Sequence, residues 1–92
     1  MTATRGEVYA ALDGERDYQN DLWSPVNSDN ILEPRRPEEW LVYMEVYLRK
    51  AQEAITSDVD AIAIPATMHI VRKITAMGVA AMEQNGAPER AR

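Results

Sequence analysis

Apolar residues recur at three- and four-residue steps in three separate stretches of this chain, a helical period and not the alternation of strands. In the first stretch Val8, Ala11, Leu12, Glu15, Tyr18 and Leu22 share one stripe. Tyr9, Asp13, Arg16 and Asn20 lie on a neighbouring, more polar one. Thr4-Arg5-Gly6-Glu7 has the spacing of a capping box, in which a threonine hydroxyl and a glutamate carboxylate satisfy first-turn amides reciprocally. A helix is therefore predicted to start near Arg5, to be weakened mildly at Gly14, and to end at "WSPVNSDN". Residues 24 to 37 carry proline, serine and asparagine without a period. They read as a loop, either a binding loop or a mobile connection.

Pro37 suits the first position of a second helix, with Glu38 and Glu39 in the first turn where the helix dipole favours acids. Trp40, Leu41, Met44, Tyr47, Leu48, Ala51 and Ile55 form one long apolar stripe, ending around Thr56 to Asp58. The stretch "SDVDAIAIP" allows two readings: a cap at Ser57 or Asp58 and a kink at Pro65, or a fresh helix at Pro65. The fresh start is the expectation adopted. The third helix then runs to Asn85, where Gly86 offers a left-handed cap and Pro88 blocks extension. The pattern predicts a single all-α domain over residues 1–92, with a short N-terminal helix packed on an antiparallel helical hairpin.

Wound as a helix, residues 65 to 85 place Ile70, Ile74, Met77, Gly78 and Ala81 on a core face. Met68, Arg72, Thr75, Val79 and Met82 fall on a roughly opposite face, with His69, Lys73 and Ala76 between. A three-helix monomer has no second core to cover that second face, so a second subunit is its expected cover and the chain a compact homo-oligomer. Arg72 and Thr75 would sit at or beside that interface. Arg72 has two open readings: a cation kept for an anionic ligand, or the partner of an internal acid such as Glu15 or Glu45. Thr75 likewise either contacts ligand or bonds back to the carbonyl one turn earlier.

Charge sharpens this picture. The net charge is -5, and thirteen of the fifteen acids lie in residues 1 to 60, whereas residues 61 to 82 hold none and carry His69, Arg72 and Lys73. An acidic chain without an extended basic face is a poor coat for duplex nucleic acid or anionic lipid. No apolar run approaches the roughly 20 residues of a membrane span. The N-terminus lacks the apolar core of a signal peptide, and the chain has no cysteine, so a cytosolic location is expected.

Catalytic constellations are sparse. An all-α nucleotide pyrophosphohydrolase holds magnesium between carboxylates on two facing helices, and here the acids Glu38, Glu39, Glu45 and Glu53 have no counterpart in residues 61 to 82. The lone histidine has no evident serine or cysteine nucleophile, and the four glycines are not clustered as a phosphate loop. Binding without catalysis, cofactor or metal is expected, with a divergent pyrophosphohydrolase or a purely structural helical module as alternatives.

The segments "TRGEVYAALDGERDYQNDLW", "EWLVYMEVYLRKA" and above all "HIVRKITAMGVAAMEQNGAPER" resemble the phage anti-CBASS sponge proteins, whose helical-hairpin domain is shared with some anti-Thoeris sponges. The likeness spans nearly the whole chain apart from residues 24–37 and 57–64. It implies a non-enzymatic homohexamer in the cytoplasm of the infected bacterial host. Such a protein binds cyclic oligonucleotides, cyclic dinucleotides such as cyclic GMP-AMP and in some members cyclic trinucleotides, without cleaving them. Cyclic dinucleotides would sit between neighbouring subunits on Arg72, Thr75 and Tyr9, supported by Lys73 and His69. A trinucleotide site would use Thr4, Arg5 and Gly6 at a helix N-terminus, where a plain capping box is the competing reading.

Overall fold

The computed structural model describes residues 2–22 and 35–91. They form three helices and no strand: α1 (Arg5–Leu22), α2 (Pro37–Ala54) and α3 (Asp60–Asn85). The loop expected at residues 24 to 37 lies, as far as residue 34, outside the described residues.

Helix α1 begins as its capping box dictates. Thr4 Oγ1 accepts from the Glu7 amide at 3.2 Å, and Glu7 Oε1 accepts from the Thr4 amide at 3.1 Å. Pro37 opens α2, and Glu38 and Glu39 stand in its first turn. Helix α2 stops at Ala54, slightly earlier than its periodicity suggests, and just beyond it the Thr56 hydroxyl donates to Glu53 O at 2.6 Å.

The start of α3 corrects the expectation of a fresh helix at Pro65. The helix begins at Asp60 with Val59 as cap, and Pro65 lies inside it. Pro65 removes the amide that would reach Ala61 O, normally a large local cost. The interruption is tolerated where Ala63 and Thr67, on either side of it, are both buried. Thr67 Oγ1 also donates to Ala63 O at 2.7 Å. At the far end Gly86 has φ 107 and ψ 148, a positive-φ conformation suited to glycine, though with ψ far from the left-handed helical region expected there. Its amide donates to Met82 O at 2.8 Å.

Helix α3 is the centre of the molecule, packing on both α1 and α2, which do not touch each other. Trp40, at 2% exposure, nests with Met77 and Ala80, flanked by Met44, Tyr47 and Ala81. Its indole N–H donates to Gln84 Oε1 at 3.0 Å, and the same oxygen accepts from the Arg35 amide at 2.9 Å. The beginning of α2 is thereby tied to the end of α3.

Two of the expected faces are only partly buried. In α1 the buried residues are Glu15, Arg16 and Gln19, while Val8, Tyr18 and Leu22 of the apolar stripe are exposed. Glu15, from the apolar stripe, and Arg16, from the polar one, find ion-pair partners on α3, and Gln19 accepts from Arg16 within α1. In α2 the stripe holds at Trp40 and Ala51, whereas Leu41, Leu48 and Ile55 are exposed.

Among the described residues the buried apolar ones are Trp40, Met77 and four alanines, while sixteen large apolar side chains are exposed.

Candidate functional site

Helices α1 and α3 meet through charge. From α3, Arg72 Nε donates to Glu15 Oε1 at 2.7 Å, with the arginine side chain 33% exposed and the glutamate 7%. Arg72 Nη1 lies 2.7 Å from His69 Nδ1. A guanidinium only donates, so Nδ1 is the acceptor in this contact. Among the described residues Nη2 has no hydrogen-bond partner.

The reciprocal pair is built differently. Arg16 of α1 donates to both Glu83 oxygens, from Nε at 3.0 Å and from Nη2 at 2.6 Å. Its Nη1 reaches Gln19 Oε1 and its Nη2 also Asn20 Oδ1. All three nitrogens of this buried guanidinium are engaged, which fits a structural clasp. On the side of α3 shared by Arg72 and Glu83 lies Ala76, fully buried, where a small side chain lets the helices approach.

The Arg16 hydrogen bond holds the Glu83 carboxyl below its ordinary 4.5, outweighing the opposing effect of burial. Because the folded value lies below the unfolded one, the stabilisation is complete above about pH 4.5 and is lost as the pH falls through the folded value. Glu83 is 51% exposed, so solvent screening keeps the effect under about 1 kcal/mol. Thermal melts between pH 7 and 3 should show a smaller acid-side drop in Glu83→Gln than in the natural chain. Equal drops would remove the Arg16–Glu83 pair from the account.

Beside Arg72 a cleft of about 550 Å³ opens between α1 and α3. Val8 and Leu12 wall it from α1, and Met68 and Val71 from α3. His69, Arg72 and Thr75 of α3 are among its polar lining residues, with Thr2 and Glu7 from the N-terminal side. Apolar walls with a few polar groups at this volume are ordinary for a small-molecule site. Thr75 Oγ1 donates to Val71 O at 2.7 Å. In that rotamer it offers a ligand only lone pairs, suited to an N–H or hydroxyl and not to a phosphate oxygen.

Of the residues expected at a dinucleotide site, three share the cleft: Arg72, Thr75 and His69. Tyr9 and Lys73 do not line it; Tyr9 is 59% exposed on α1, and Lys73 is half-buried about 100° round α3 from Arg72. Both internal readings left open by the sequence are realised in the bonding: Arg72 pairs with Glu15, and Thr75 bonds to the carbonyl one turn back. Glu45 instead pairs with Arg49 at 3.2 Å. At the other expected site Thr4 is committed to Glu7, whose carboxyl the Thr4 amide and hydroxyl hold below its ordinary value. An anion thus already stands at the start of α1, beside Arg5 and Gly6.

The periodicity gave Arg16 and Gln19 no special place, yet they anchor α1. The available signal was Glu83, the first acid after a long acid-free run, which needs a cation close by. Among the described residues no group of three or more His, Cys, Asp or Glu side chains could hold a metal ion. No helix of theirs is long and apolar enough to cross a membrane.

Fold and cleft together define a small three-helix protein whose groove carries one partly engaged cation. Compared with known proteins, the chain matches no protein-family model, no curated protein and no solved structure.

Proposed function

We propose that this protein captures cyclic oligonucleotide second messengers in the cytoplasm of a phage-infected bacterium and holds them uncleaved, so that CBASS effectors stay inactive. The ligands are cyclic dinucleotides such as cyclic GMP-AMP, and the protein acts without enzyme activity, metal or cofactor. The observation that carries this reading is the contrast between the two interhelical arginines. Arg16 is used up by internal partners, whereas Arg72 keeps donors beside a cleft of ligand size. The resemblance of the sequence to anti-CBASS sponges supplies the class of anion.

The cleft is completed by self-association, with a helical hairpin of α2 and α3 as the building block and a homohexamer as the assembly. Ile64, Met68, Val71, Thr75 and Met82 follow one another at steps of 4, 3, 4 and 7, the spacing of a helix-to-helix seam. All five are exposed in the single chain, and three of them also line the cleft. A copy seated on this seam brings a second Arg72 toward the first, matching the two phosphates of a cyclic dinucleotide.

Cyclic trinucleotides at Thr4, Arg5 and Gly6 are the weaker part, because Glu7 competes for the same amides. A purely structural module is the second reading, favoured by the Glu15–Arg72 and Thr75–Val71 bonds. A divergent pyrophosphohydrolase has little support, since Glu45 is paired with Arg49 and α3 offers no facing acid between residues 61 and 82. Ligand incubated with the protein and released by heat distinguishes the three. It returns intact from a sequestering protein, cleaved from an enzyme, and is never retained by a structural module.

A further inference from the structure

We propose, resting on the reading above, that Glu15 is a positioning residue that presets Arg72 for an oxyanion. A site built for attraction alone would not keep a buried carboxylate 2.7 Å from its cation, since that charge also repels a phosphate. The geometry gives the carboxylate another task. It takes the Nε edge of the guanidinium, and His69 Nδ1 takes one hydrogen of Nη1. Of five N–H donors two are used and three remain, all on the terminal Nη1 and Nη2 nitrogens. Glu15 is itself 7% exposed on α1, so its carboxylate has little room to swing away. A guanidinium fixed at one edge loses less rotamer freedom when its other edge binds, and affinity rises by the entropy not spent.

Two substitutions separate positioning from competition. Glu15→Gln keeps an acceptor for Nε and removes the charge, whereas Glu15→Leu removes both. Affinity for cyclic GMP-AMP is measured by calorimetry, and the Arg72 Nε–H resonance by NMR of the free protein. Positioning predicts an ordered Nε–H signal in the natural chain and in Glu15→Gln, and its collapse to solvent-averaged behaviour in Glu15→Leu. It predicts dissociation constants unchanged or tighter for Glu15→Gln and about tenfold weaker for Glu15→Leu. Glu15→Leu binding as tightly as the natural chain, or more tightly, would make Glu15 a competitor and overturn the assignment. So would an Nε–H signal as ordered in Glu15→Leu as in the natural chain. If the natural chain binds no cyclic nucleotide, the sequestration reading fails by itself, and the resonance alone decides whether Glu15 positions Arg72.

Discussion

Replacing Arg72 with alanine is expected to weaken cyclic dinucleotide binding by at least about 100-fold while leaving the mass of the assembly unchanged. Each hydrogen bond to a charged group is worth about 1.5–3 kcal/mol, and a two-fold site loses the contribution twice. The same change strands Glu15, a carboxylate 7% exposed with Arg72 as its ion-pair partner, and should cost about 1–3 kcal/mol of stability. Removing that stranded charge as well, in Arg72→Ala with Glu15→Gln, should restore most of the stability and none of the binding. Calorimetric titration and thermal melts of the three chains separate the two effects. If Arg72 only clasps α1 to α3, Arg72→Ala loses stability and binding survives.

The second large effect belongs to the seam on α3. Ile64 and Met82 lie on it, half exposed and outside the cleft lining, so changing them spares the proposed ligand contacts. Ile64→Asp or Met82→Asp should bury an unpaired carboxylate at every copy of the interface, a penalty of several kcal/mol. Association is expected to weaken by at least about 100-fold, so that sedimentation equilibrium at micromolar concentration reports a monomer. Nucleotide binding should disappear with the assembly, although Arg72, His69 and Thr75 are all retained. A variant that keeps the mass of the natural assembly would exclude this face as the contact.

Local signals in the sequence located most of the fold. The Thr4–Glu7 box and Pro37 set two helix starts, and Trp40, Met44, Tyr47 and Ala51 point toward α3 as their period requires. Pro65 misled because a proline is a breaker in isolation, and only the burial of Ala63 and Thr67 around it shows why the helix runs through. Helix α1 buries Glu15, Arg16 and Gln19 instead of Tyr18 and Leu22, an order that hydrophobicity alone would reverse. Two reciprocal ion pairs with α3 set that order. At the site, Arg72 stood out as a cation on an otherwise apolar face. What its neighbours do with its donors depends on the crossing of α1 over α3, which no local period encodes. Tyr9 and Lys73 show the same limit, being near Arg72 in pattern but outside its cleft.

Capture without cleavage is tested by following the ligand through binding and release. The natural protein is incubated with cyclic GMP-AMP, separated from free nucleotide by ultrafiltration, heated to denature it, and the released material is resolved by chromatography. Retention by the folded protein, followed by full recovery of the intact cyclic dinucleotide, is the predicted result. Linear or hydrolysed nucleotide, or a ligand that is never retained, would contradict it.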